Sequence, residues 1–505
     1  MPGSHGEDGS PPDTGRGGTA TARLMAPPHR ALVVGLLAIV TCGAFEAMAV
    51  TTAMPVVAAE LGGRAYYGLA FSLFLTASMA ATAAAGPWCD RRGPRPALLA
   101  GLALMCAGLV LGGAAGSFGL FTAGRMVSGL GMGFTIVAVY VVIGQALPQP
   151  LQPAMFGWFS AAWVVPSLIG PYASGLLAQH VSWRLPFLGV APIVAAAFAL
   201  VWPRVRSLPA PSAAPAGAGA GADGRRRALA GIGLAGGVAA AQWALMAGAG
   251  SGAAAAAEAG TGPAAQGMWS GNAQPVLIVV GLAGALAAVL GARRLIPPGV
   301  WTARRGLSAV MAVRGLLTFA FFGAEAFIPL LLVDRYGLEP SIAGLALTGG
   351  ALGWTAGSFV QARAWLTRRA SLVLGPAAVA ACLALISASA ALSAAAWWIP
   401  AAWVLAGMGM GLAMSVTSVA TLDLSDAAER GRNSASLQLA DMLGGVIGTA
   451  GAGTLYALML DGSRTPGAFG FALLTSSLAV PALLGAVAGR RTDAPSRAGA
   501  GAPRA

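Results

Sequence analysis

Four ionisable side chains stand inside long apolar runs: Glu46, Arg125, Glu325 and Asp441. A charge at the centre of a bilayer costs about 2.5–3.5 kcal/mol, so such residues turn toward a cavity and mark routes for ions or substrates. Burial favours the neutral form of a carboxyl group and a neighbouring guanidinium favours the ionised form. The balance between them decides whether a proton can load and release near neutral pH. Glu46 falls in the second half of the first apolar run, and Arg125 near the start of the fourth, which runs the opposite way. Their depths match, which predicts a Glu46–Arg125 pair, serving either as a proton switch or as a static ion pair. Glu325 has no comparably placed arginine and is a second proton or cation candidate. Asp441, three residues after Gln438, is the third; it is close enough to one end of its run to snorkel out to water instead.

Other chemistries lack their residues. All 30 basic residues are Arg, and a chain without Lys offers no phosphate-binding loop, which excludes ATP drive. His5, His29 and His180 are far apart and have no metal-ligand spacing. Cys42, Cys106 and Cys382 fall in apolar runs and Cys89 in an expected loop, so no disulfide framework is expected. No Ser-His-Asp constellation is present, and neither an enzyme nor a bound cofactor or metal is expected. The net charge of +13 is carried by arginines flanking apolar runs and does not call for nucleic acid. Phe45, Trp158, Trp163, Phe321 and Phe322 are of the type that lines a cavity for apolar or cationic compounds, although packing or lipid contact accounts for them equally well.

The elements that must position these groups follow from composition. Of 505 residues, 57% are hydrophobic and 9% charged, and the mean hydropathy is +0.74. Too few polar groups exist to cover a water-facing surface, so lipid must cover it. At about 20 apolar residues per crossing, fourteen stretches emerge: 31–55, 66–86, 97–116, 118–146, 154–178, 185–201, 228–249, 274–292, 307–333, 341–362, 372–392, 395–421, 434–460 and 467–488. With the N-terminus inside, four arginines fall outside (Arg64, Arg184, Arg335, Arg464), Arg125 lies in a helix, and the other 25 are cytoplasmic, as the positive-inside rule requires. The expected protein is multi-pass in the plasma membrane, with both termini cytoplasmic. The domain reading is a disordered tail (1–30), a six-helix bundle (31–202), a Pro/Ala/Gly/Arg linker (203–227), two inserted helices and a connection (228–306), a second six-helix bundle (307–488) and a disordered tail (489–505).

The two bundles are related by an internal repeat. Glu325 follows Glu46 by 279 residues, Gly448 and Gly453 follow Gly170 and Gly175 by 278, and Trp365 with Arg368-Arg369 follows Trp88 with Arg91-Arg92 by 277. A shared offset implies two parallel halves with the seventh and eighth stretches inserted between them.

Several motifs carry a resemblance. Gly86-Pro-Trp-Cys-Asp90-Arg91-Arg92-Gly93-Pro94-Arg95 is similar to the GxxxDRxGR(R/K) loop of the major facilitator superfamily, with Pro94 in a position usually held by Arg. Its charges can contact helix ends in one state and release them in the other, a conformational lock, or anchor topology only. Glu46 to Pro55 resembles the LDxTxxNxALP motif of drug:proton antiporters, with Glu replacing Asp. Arg125 to Gly133 resembles the family's RxxxGxGxG element. Pro166 to Gly175, with Gly170 and Pro171, resembles the antiporter motif GxxxGPxxGG, two of whose glycines are here Pro166 and Ser174. Gly170-Pro171 is expected to supply a kink and a close helix approach. The resemblance implies the fourteen-helix drug:proton antiporter branch: an all-α polytopic protein of two six-helix bundles plus two inserted helices. The charges inside the runs put Glu46, Arg125, Glu325 and Asp441 in proton coupling, and the resemblance implies Gly86, Asp90, Arg91, Gly93 and Arg95 in the lock. The implied function is efflux of small amphiphilic compounds in exchange for protons, by one copy of the chain. A facilitator or importer of a specific metabolite is the alternative within transport, and an intramembrane enzyme or sensor the alternative outside it.

Overall fold

The computed structural model describes residues 23–208, 226, 229–245, 274–363, 365–426, 429–460 and 466–493, among which there is no β-strand. In lipid a backbone must satisfy its own hydrogen bonds, and helices do so within one segment. The first group of helices is α1 (Pro27–Glu60), α2 (Tyr67–Arg92), α3 (Pro94–Gly113), α4 (Phe118–Ala146), α5 (Gln152–Leu177) and α6 (Leu185–Val205). Then come α7 (Leu229–Leu245) and α8 (Gln274–Leu295). The last group is α9 (Leu307–Tyr336), α10 (Pro340–Ala362), α11 (Arg368–Ala391), α12 (Trp398–Asp423), α13 (Arg430–Leu458) and α14 (Ala468–Gly489). Among the described residues, eleven helices are long and apolar enough to cross a membrane. The others are α7, which has 17 described residues, and α10 and α13, whose glycines and polar residues make them less apolar.

Helix ends differ from the expected boundaries where local chemistry extends them. α1 starts at Pro27, a residue suited to the first helical turn, and Leu24 before it is buried, so the ordered chain reaches into the expected tail. The expected loop around Cys89 is helix as far as Arg92, and Cys89 is buried. The turn is confined to Gly93, whose φ of 77° suits glycine, and Pro94 opens α3. The linker residues 209–225 and the loop 246–273 lie outside the described residues.

Two six-helix bundles repeat one packing scheme. α3 packs on α4 and α11 on α12; α2 packs on α4 and α10 on α12; α1 packs on α5 and α6 as α9 packs on α13 and α14. Glycines set these distances. A Cβ on Gly129 or Gly133 of α4 would meet the carbonyl of Phe74 or Ser78 on α2 at 2.3 Å, and one on Gly131 would meet the Met105 amide on α3 at 2.3 Å. In α12, Gly407 and Gly411 face the carbonyls of Gly350 and Trp354 on α10, and Gly409 faces that of Gly375 on α11. Gly407, Gly409 and Gly411 stand 278 residues after Gly129, Gly131 and Gly133, a fourth repeat anchor that the sequence reading missed.

The halves meet through α2 against α13 and α5 against α10, which are equivalent pairs under the repeat. A Cβ on Gly68 would lie 2.5 Å from Cα of Gly453, and a Cβ on Gly175 2.5 Å from Cα of Ser341. These contacts sit away from the face where α1 begins and α14 ends, termed the terminal face below. The inserted helices pack on each other through Gly237 and Gly284, each of which would meet the other's carbonyl at 2.5–2.6 Å if given a Cβ. Their apolar side joins Leu234, Val238 and Ile296 to Met79 of α2 and to Leu443 and Val446 of α13. The insertion therefore lies across the seam between the halves.

Candidate functional site

Glu46 and Arg125 meet as the matched depths predict. Arg125 Nη1 lies 2.5 Å from Glu46 Oε1, Ser128 Oγ donates to the same oxygen at 2.8 Å, and both charged residues are buried. Ser128 is one helical turn below Arg125 on α4, so one helix face supplies both donors. Arg125 Nε also donates to the Ala70 carbonyl at 3.4 Å, and the guanidinium lies 4.1 Å from the Phe74 ring centroid. Glu46 Oε2 is buried with no hydrogen-bond partner. One carboxylate oxygen is thus bonded twice and the other is bare.

The second half is built differently. Glu325 ends the first segment of α9, and among the described residues it makes no hydrogen bond or ion pair. The residue 278 positions after Arg125 is Trp403, fully buried and stacked on Phe321 at 4.9 Å between centroids. An aromatic pair occupies the place where the first half has a cation. Phe321 is therefore packed within the bundle, and Trp158 is partly exposed.

Asp441 does not stand alone. Its Oδ1 lies 2.7 Å from Nε of Arg314 on α9, whose Nη1 donates to the Met414 carbonyl and to Thr417 Oγ1, both at 2.8 Å. Gln438 Nε2 is 3.5 Å from Asp441 Oδ2. Arg314 is expected among the cytoplasmic arginines, yet it is 7% exposed and holds α9, α12 and α13 together. Its position seven residues inside the α9 start, on the buried face, was the available signal. The carboxylate turns toward that guanidinium rather than snorkelling away.

Far from the terminal face, the halves are tied by polar contacts. Arg64 Nη1 and Asp334 Oδ2 are 2.5 Å apart, and Tyr456 Oη is 3.4 Å from the same oxygen. Tyr67 Oη donates at 3.0 Å to the Ala326 carbonyl, at the break that divides α9 into Leu307–Glu325 and Ile328–Tyr336. A broken membrane helix leaves backbone groups to satisfy, and here the opposite half satisfies one. Ser341 Oγ donates to Gln179 Oε1 at 3.0 Å, and Thr348 Oγ1 to the Leu168 carbonyl at 3.0 Å.

On the terminal face, Asp90, Arg91 and Arg92 are exposed, and Asp90 makes no ion pair or hydrogen bond among the described residues. Gly93 is required by its backbone, whereas a Cβ on Gly86 would meet nothing. In α5, Gly170 would make only ordinary contact with Met48 and Phe45 at 3.5 Å. The expected close approach is supplied instead by Gly175 and by the Pro171 carbonyl, which a Cβ on Gly344 would meet at 2.7 Å. Ser174, where the motif has glycine, donates to the Ala49 carbonyl at 2.8 Å and fastens α5 to α1.

Two repeated six-helix bundles, each holding a buried charged pair, make a polytopic helical membrane architecture. Residues 35–449 match the family model described as Major Facilitator Superfamily, and the chain belongs to that superfamily. A protein named as a probable multidrug-efflux transporter of Mycobacterium tuberculosis is 33% identical over 150 residues, 30% of this chain and 32% of that protein. An Aspergillus aculeatus MFS-type transporter of the acurin A biosynthesis cluster is 27% identical over 39% of this chain and 35% of its own. The chain thus aligns with about a third of the length of these relatives. A longer alignment, 25% identical over 91% of this chain and 64% of the relative, is with an uncharacterised MFS-type transporter of Mycobacterium tuberculosis. Among solved structures, a bacterial homologue of the human lysosomal transporter Spinster superposes with a TM-score of 0.63 at 15% identity, covering 92% of this chain and 97% of that one. The peptide transporter POT in complex with sulfate gives 0.62 at 14% identity, covering 90% and 93%.

Proposed function

We propose that this chain is a proton-coupled exporter of small amphiphilic compounds, working by alternating access as a single copy of fourteen crossings in the cytoplasmic membrane. The terminal face is the cytoplasmic one. The observation that carries the reading is the buried Glu46 carboxylate, with Oε1 held by Arg125 and Ser128 and Oε2 without a partner. A proton loads on Oε2. Its arrival neutralises the carboxylate, weakens the hold on Arg125 and loosens α1 from α4. α1 is fastened to α5 by Ser174, and α5 forms the cross-half contact with α10, so the change reaches the interface between the halves.

The relative named as a probable multidrug-efflux transporter supports export of drug-like compounds. The reading is tested by expressing the chain in an efflux-deficient host against a panel of compounds, with and without a protonophore. Resistance that disappears with the protonophore is expected. Accumulation of one metabolite, indifferent to the protonophore, would replace this reading with a specific facilitator.

A further inference from the structure

A cavity of about 660 Å³ opens at the terminal face, between the ends of α2, α8 and α13 and beside the start of α7. We propose that it binds the anionic headgroup of a phosphate-bearing lipid drawn from the adjoining leaflet.

Charge is the first observation. Arg293, Arg294 and Arg432 line the cavity, and among the described residues no Asp or Glu does. Arg293 and Arg294 are exposed and make no ion pair or hydrogen bond among the described residues, while Arg432 is bridged to Glu429, which lies outside the lining. The first turn of α13, at Arg432 and Asn433, also borders the cavity and sets the positive end of that helix dipole in the same field. Two free guanidiniums beside a third suit a phosphate group, which accepts bidentate hydrogen bonds from each.

The remaining wall separates an amphiphile from a free anion. Ala83, Pro87, Ile296, Leu439 and Met442 are apolar, and an inorganic ion gains nothing from them. Ile296 also lines a neighbouring, largely apolar cleft of about 450 Å³ between α9, α13 and α14, which Leu316, Phe319 and Leu484 border. Head site and tail cleft adjoin at one residue. The positive-inside tendency accounts for arginines at this face, but it does not require them around a hollow whose described lining holds no acid and is partly apolar. Arg304 and Arg305 are exposed arginines of the same connection that do not line the cavity.

The walls belong to the first half, the insertion and the second half, so an occupant touches all three. It favours the arrangement in which α2 and α13 stand apart at this face. This inference rests on the fold and the cavity alone and is independent of proton coupling.

The test measures binding of short-chain phosphatidylglycerol to the purified full-length protein, against phosphatidylcholine of the same chains and against inorganic phosphate. Phosphatidylglycerol is expected to bind and raise the unfolding temperature, with neither comparator doing so. The R293Q/R294Q variant is expected to weaken it at least tenfold, while R304Q/R305Q, with the same loss of charge, leaves it unchanged. Met442→Trp, which fills the cavity without altering charge, is expected to weaken it as well. Equal weakening by the two double variants would reduce the effect to diffuse surface charge and overturn the site. Equal binding of phosphatidylcholine, or stabilisation by inorganic phosphate alone, would overturn the headgroup assignment.

Discussion

Glu46 presents one oxygen bonded twice and one bare, and in the proposed coupling the bare oxygen is where the proton binds. Glu46→Gln keeps the shape and removes the titration. It is expected to insert and fold normally while substrate-induced proton release in proteoliposomes falls to background; unchanged release in the variant would remove Glu46 from the coupling route. Arg314 and Asp441 make a different case, because removing one partner strands a buried charge. Breaking such a pair costs about 3–5 kcal/mol, and replacing both with neutral groups costs far less. Arg314→Gln and Asp441→Asn singly are therefore expected to cut folded yield in fluorescence-detected gel filtration, and the double variant to recover it. If the recovered double variant also transports normally, the pair is structural. Glu325, with no cation beside it, is expected to impair transport or its proton stoichiometry when changed to Gln, without loss of folded protein.

The helices owe their spacing to glycines whose hydrogens touch a neighbouring backbone. A Cβ on Gly407 would come within 1.8 Å of the Gly350 carbonyl oxygen, whereas one on Gly451 would meet nothing within 4 Å. Overpacking of this kind costs about 1–3 kcal/mol. Gly407→Ala is accordingly expected to lower the unfolding temperature in detergent, and Gly451→Ala to leave it within error. Equal behaviour would mean that α10 and α12 are not held at the observed distance. The inserted pair shows the same economy of side chains: Gly237 of α7 and Gly284 of α8 serve close approach rather than burial.

Among the described residues, contacts between the halves are concentrated away from the terminal face, while Asp90 has no partner on it and the inner ends of α2 and α13 flank a cavity. A hydrogen bond to a charged group is worth roughly 1.5–3 kcal/mol net, and the Arg64–Asp334 bond exists in this arrangement only if the halves are together. Asp334→Asn is expected to shift the balance of arrangements by about tenfold toward opening at that end. Engineered single cysteines on a cysteine-free background would report the shift as faster labelling there and slower labelling at the terminal face. Asp90→Asn is expected to shift it the other way, since the lock that Asp90 would form belongs to the opposite arrangement; identical labelling of variant and parent would reduce the motif to a topological anchor.

Composition and periodicity were enough for a membrane-embedded, all-helical chain, because a chain so poor in charge has no other way to cover its surface. Position within oppositely running apolar stretches was enough to pair Glu46 with Arg125, because depth in a bilayer follows directly from position in a run. The Arg314–Asp441 pair was hidden because position seven residues into a run gives depth but not the rotation that turns Arg314 toward α12 and α13. An apolar run that ends at Gly86 puts Cys89 in a loop, yet the helix continues through Cys89 to Arg92. Trp403 in place of a second arginine, and the Gly407-Gly409-Gly411 stripe, were present in the sequence as types, but their meaning depends on which neighbour each one faces. That was decided by tertiary packing, which sets the rotation of each helix about its axis and so determines whether a small residue is a contact and whether a charge has a partner.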